Sequence, residues 1–153
     1  MACVFNVALQ STPMQTGAIW IIDQDEDDLQ MFKDIWKELD IQNQLEWFSN
    51  ADQVLKKFET IKEAPFLILC DVNLPKINGF KLRELILSHP GKIYHSVPFI
   101  YWSTVASEEQ IVKAFSLASH GFFIKDSSFT KLKQSFQEIL TYWQNSKVPK
   151  KKE

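Results

Sequence analysis

From Ala18 onward the chain alternates short apolar runs with amphipathic stretches, the pattern of repeated strand–helix units that build a parallel sheet. The apolar runs predict strands over 18–23, 45–48, 66–70, 97–102 and 122–124. Between them apolar residues recur at spacings of three and four, the period of a helix with one buried face. Leu29, Phe32, Trp36 and Leu39 form the first such stripe, Val54, Leu55 and Phe58 the second, and Leu82, Leu85 and Ile86 the third. Ile111, Ala114, Phe115 and Ala118 form the fourth, and Phe129, Leu132, Phe136, Ile139, Leu140 and Trp143 the fifth. These stripes read as core, and nothing in them requires a cofactor.

Start and stop signals agree with this division. Ser107 with Gln110 has capping-box spacing, Ser49 with Asp52 is a weaker relative, and Ser127 or Ser128 can cap the last helix. His89-Pro90-Gly91 ends the third helix, and Gly121 separates the fourth helix from the last strand. No internal repeat is visible, and after the fifth unit no residues are expected for a DNA-binding or enzymatic output domain.

The chemistry collects at strand ends. Phe66-Leu67-Ile68-Leu69-Cys70 runs into Asp71 and a Pro- and Gly-punctuated loop, Asn73 to Gly79, and Ala18 to Ile22 runs into Asp23-Gln24-Asp25-Glu26-Asp27-Asp28. Open α/β sheets place ligands at the carboxyl ends of their strands. Taken singly, an Asp after a strand is a turn former and a Lys such as Lys125 is a solvated cation; their coincidence on one sheet edge favours function.

Length and charge narrow the class further. A chain of 153 residues, 45% hydrophobic and 24% charged, suits one domain with a real core. A net charge of -2 argues against non-specific nucleic-acid binding, which needs a positive stripe to displace counterions. Lys147, Lys150, Lys151 and Lys152 make 146–153 a basic tail, expected to be solvated. Cys3 and Cys70 are isolated, without metal or disulfide spacing, and Cys70 reads as a buried strand residue rather than a reactive thiol. No run of about 18 apolar residues spans a membrane. Residues 1–9 lack a basic secretory n-region, so a cytoplasmic protein is expected. Residues 1–17 are expected to be an extension outside the domain of 18–145, with Met14 a second possible start.

Four motifs in order resemble the receiver domains of two-component response regulators, across 18–144. They are Ile21-Ile22-Asp23, the run Cys70 to Pro75 with Asn78-Gly79, the run Pro98 to Thr104, and Gly121-Phe122-Phe123-Ile124-Lys125. Within the family the chain is similar to stand-alone receivers whose last helix opens on a Ser-Phe pair and ends on an aromatic. The resemblance implies a doubly wound, flavodoxin-like α/β fold: a five-stranded parallel sheet of order 2-1-3-4-5 with helices on both faces.

The resemblance also assigns roles. Asp71 matches the phosphoacceptor, which attacks the phosphorus of a phosphohistidine on a sensor histidine kinase or phosphotransfer protein. Lys125 matches the lysine that contacts a phosphoryl oxygen as a compact point charge, and Ser103 the hydroxyl that draws its loop toward the phosphoryl group. Phe122 matches the aromatic switch position. Mg²⁺ is the implied cofactor, held by Asp23, Asp71 and the backbone carbonyl of Asn73. The output surface, and that of any homodimer, is the face of the fourth helix, last strand and fifth helix, offered to a downstream protein. The implied molecule is a switch rather than an enzyme, with neither nucleic acid nor membrane as partner.

Two departures from the family stand out. Receivers usually carry two acids after the first strand, and here Gln24 follows Asp23. A neutral amide is a poorer ligand for a hard cation, so Asp25 is the expected substitute if its loop turns inward. Asp126 stands where many receivers have proline, which makes a trans bond the expectation. Gln24 keeps open a rival reading, a pseudo-receiver acting as a phosphorylation-independent interaction module. A flavodoxin-like cofactor binder or small hydrolase is a third, disfavoured because the four glycines form no phosphate-cradling loop.

Overall fold

A computed structural model describes residues 15–149. The expected extension before Gln15, including Cys3 and both candidate starts, and the lysines at 150–152 lie outside the described residues. The strands are β1 (Ile19–Ile22), β2 (Leu45–Phe48), β3 (Leu67–Cys70), β4 (Phe99–Ser103) and β5 (Phe122–Ile124). The helices are α1 (Glu26–Glu38), α2 (Ala51–Thr60), α3 (Gly79–Ser88), α4 (Glu108–Ser116) and α5 (Phe129–Asn145), with a 3₁₀ turn at Lys92–Ser96.

All five strands are parallel, in the order β2-β1-β3-β4-β5. β1 and β3, buried on both faces, are continuous apolar runs, as expected where helices cover both sides. Side chains alternate between two cores. Trp20, Ile22, Ile68, Cys70, Phe99 and Tyr101 pack with α2 and α3, while Ile19, Ile21, Leu67, Leu69, Ile100 and Trp102 pack with α1 and α5. The order starts at β1 and winds outward both ways, so the carboxyl ends of β1 and β3 are neighbours, with β4 and β5 beside them. Among the described residues no helix is long and apolar enough to cross a membrane.

Several expectations are corrected. β4 begins two residues later than the apolar run, at Phe99, and includes Ser103. α2 is capped by Asn50, whose side chain accepts from the Gln53 N–H, rather than by Ser49. Ser128 occupies the N-cap of α5 without a side-chain cap bond; Asp126 accepts from the Ser128 N–H instead. The Ser107–Gln110 capping box is present. On α4 only Ala114 is buried, and Phe115, expected in the core, is 56% exposed. Trp143 packs against the α5-side core while Tyr142 stands in solvent.

Candidate functional site

β1 delivers Asp23, β3 delivers Asp71 and β5 delivers Lys125, each one residue beyond its strand. Parallel pairing brings these ends together: the Asp71 N–H donates to the Ile22 carbonyl and the Lys125 N–H to the Ser103 carbonyl. The Lys125 ammonium donates to Asp23 Oδ2 at 2.6 Å, Asp28 Oδ2 at 2.6 Å and Asp71 Oδ2 at 2.9 Å. An ammonium has three donors, and all are engaged. All four side chains are buried.

Turns fix the other carboxylate oxygens. Asp23 Oδ1 accepts from the Asp25 N–H and Asp71 Oδ1 from the Asn73 N–H, each at 2.9 Å. The loop after Asp71 passes through a left-handed Lys76 and returns at Gly79, whose N–H donates to the Val72 carbonyl. A Cβ on Gly79 would run into the Asp71 carbonyl oxygen. The Asn78-Gly79 pair therefore lets α3 start directly beneath Asp71, with Asn78 as its cap.

Asp28 is the residue that sequence reasoning missed. Asp25, the expected stand-in for Gln24, instead caps α1 by accepting from the Asp27 N–H, which holds its carboxylate at the helix start. Asp28 lies one helical turn before Phe32 and two before Ile35, and all three are buried on one face. An acid in register with an apolar helical stripe was the available signal. Gln24 is exposed, and its amide donates to the Asn73 carbonyl at 3.3 Å.

Ser103 is buried at the end of β4 and donates its hydroxyl to the Val105 carbonyl at 3.0 Å. Phe122 is half-buried, its ring 6.0 Å from that of Tyr101. Tyr101 in turn donates its hydroxyl to the Gly79 carbonyl at 3.4 Å, so the ring on β5 is linked through β4 to the start of α3. No cis peptide occurs among the described residues, so Lys125–Asp126 is trans. Cys70 is buried; loss of solvent, then the nearby Asp71 and Asp23 carboxylates, push its thiol well above the usual range. It is an inert core thiol.

One lysine cannot balance three carboxylates. Burial, followed by the hydrogen bond with Asp28, pushes the Asp23 carboxyl up to about 7, against the opposing pull of Lys125. Burial lowers the pKa of Lys125, but its hydrogen bonds to Asp23 and Asp28 outweigh that and leave it above an ordinary lysine. The excess negative charge calls for a proton or a cation, and carboxylate oxygens with a nearby backbone carbonyl are the hard donors that Mg²⁺ takes. This donor set fits a divalent ion by its chemistry. Among the described residues no three acidic, His or Cys side chains are grouped so as to hold an ion, and Asp23, Asp28 and Asp71 each bond Lys125.

The chain is similar to known proteins over most of this fold. It is 28% identical over 82 residues to a probable methanogenesis regulatory protein, FilR2, of Methanothrix harundinacea, a match covering 54% of this chain and 52% of that one. The chain thus spans about half of that relative's length. The fold is shared with the phosphorylated cyanobacterial phytochrome response regulator RcpA at TM-score 0.79 and 19% identity, covering 88% of this chain and 99% of that one. It is shared also with the Mn²⁺-bound form of the response regulator Rcp1 at TM-score 0.75 and 20% identity, covering 87% and 99%. Residues 19–137 match the response regulator receiver domain, and the chain belongs to that family.

Proposed function

We propose that the protein is a phosphoacceptor switch of a two-component relay. Asp71 takes a phosphoryl group from a phosphohistidine of a sensor histidine kinase or phosphotransfer protein. A carboxylate oxygen of Asp71 forms the new P–O bond as the P–N bond breaks, and the histidine nitrogen leaves with the electron pair and takes up a proton. The single observation carrying this reading is the Lys125 ammonium on Asp71 Oδ2 at 2.9 Å, which places a cation where an anionic phosphoryl group would arrive. Mg²⁺, held by Asp23, Asp71 and the Asn73 carbonyl, would supply the remaining charge compensation. Ser103 would exchange its bond to Val105 for one to the phosphoryl oxygen, drawing in the loop that precedes α4.

The exposed large hydrophobics among the described residues support the output face. They are Val105, Val112, Phe115, Ile124 and Tyr142, which lie on the loop after β4, on α4, on β5 and on α5. Such an apolar surface fits a downstream protein or a second copy of this chain. A small phosphodonor with Mg²⁺ should add one phosphoryl group to the intact mass, and Asp71→Asn should abolish it. Unchanged mass across a wide Mg²⁺ range favours a second reading, a pseudo-receiver that works as a phosphorylation-independent interaction module. The observation behind that reading is Gln24, whose amide already engages the Asn73 carbonyl. Either role suits the cytoplasm.

A further inference from the structure

We infer that Asp28 restores to the cation pocket the carboxylate that Gln24 fails to provide, and that it does so by holding Lys125. The inference rests on the reading of the site as a cation-dependent receiver pocket and deepens it. With Gln24 neutral, Asp23 and Asp71 alone would face one ammonium, leaving a net charge of only -1. Asp28, buried and 2.6 Å from Lys125, brings the pocket to three carboxylates and one lysine. Two acids after β1 without Asp28 would give the same total, so in this chain the third charge sits on α1. Its new position has a mechanical effect. Lys125 lies on all three carboxylates, and an ion can use Asp23 and Asp71 only if the ammonium gives way. Asp28 is a partner it keeps while doing so, because α1 fixes that carboxylate by the packing of Phe32 and Ile35 on the same face. Asp28 is thus a positioning residue for Lys125.

Mn²⁺ binding followed by electron paramagnetic resonance tests this on the full chain. Asp28→Asn, nearly isosteric, should weaken Mn²⁺ by about tenfold or more, since it removes a unit of charge from a buried pocket. Asp27→Asn, a neighbouring exposed acid, should change affinity by less than about threefold because solvent and salt screen it. Adding Gln24→Asp to Asp28→Asn should return affinity to within about threefold of the native chain, a rescue that repair of packing alone would not produce. A second measurement needs no variant: the Lys125 ammonium signal in ¹⁵N NMR should stay protected from solvent exchange when Mg²⁺ is added. Equal losses for Asp28→Asn and Asp27→Asn, a native chain that binds no Mn²⁺ at millimolar concentration, or release of the ammonium to solvent on Mg²⁺ loading would each overturn the inference. Intact Mn²⁺ binding without phosphoryl uptake would sink the phosphoacceptor reading and leave this one standing.

Discussion

Replacing Lys125 with Met tests the electrostatics of the pocket directly. The side chain is 6% exposed and ends on three carboxylates. Removing one partner of a buried ion pair costs roughly 3–5 kcal/mol, since the charges left behind stay desolvated. Here three acids would face one another uncompensated. Part of that loss is recoverable. A more negative pocket binds divalent ions more tightly, and each tenfold gain in affinity over the native chain returns about 1.4 kcal/mol at saturating ion. Urea unfolding at neutral pH should therefore give a loss of about 3–5 kcal/mol in EDTA, narrowing by at least about 1.4 kcal/mol in excess Mg²⁺. A loss below about 1 kcal/mol in EDTA would mean that the carboxylates do not depend on Lys125. A gap untouched by Mg²⁺ would mean that they do not present a cation site.

Other expectations follow from neighbouring features. Gly79→Ala should destabilise by about 1–3 kcal/mol through forced displacement of backbone at Asp71, read as a lower urea midpoint; an unchanged midpoint would refute the close approach. Arg83 is buried and donates to the Leu117 and Ala118 carbonyls at the end of α4, so Arg83→Leu should cost about 2–3 kcal/mol and speed amide exchange at 114–118; native exchange rates there would show that α4 is held by other means. Deleting residues before Met14 should leave the thermal midpoint nearly unchanged, whereas Gln144→Ala, which removes bonds to Gln15 and Asn43, should lower it by a few degrees; a drop with the deletion would show that the extension packs on the domain. A phosphoryl mimic at Asp71 should shift amide signals over 111–118 and 122–135 more than those of α2 and α3, and shifts strongest at 54–58 would move the output face.

The sheet was legible because its strands are short, apolar and separated by regular helical stripes. β2 and β5 fall where the residue pattern put them, while β4 starts late because Val97 and Pro98 are apolar without being paired as strand. Asp23, Asp71, Lys125 and Ser103 were readable as strand-end residues, since parallel strands bring such ends together whatever lies between. Asp28 was not, because its register with Phe32 and Ile35 shows only that it faces the sheet, and not which strand-end cation it meets there. Asp25 looked the better candidate by proximity, yet its carboxylate is consumed by a cap, a local bond that competes with any distant use. Phe115 misled for a related reason: helical period identifies a stripe, but whether a protein partner or the domain's own core covers it is not written in the period.

The lysine lies 102, 97 and 54 residues along the chain from its partners Asp23, Asp28 and Asp71, and this separation bears on how the molecule is made. As the chain emerges from the ribosome, α1 and the first strands are synthesised long before β5. Contacts across such spans carry a large closure entropy and form late. A partly folded chain that already holds β1, α1 and β3 therefore crowds three acids together with no internal counter-charge, and their repulsion works against its compaction. Docking of β5 relieves that repulsion at once, which couples the last strand to the rest of the sheet. Divalent ions in the surrounding medium can stand in for Lys125 during this interval, acting as an assembly aid before β5 docks.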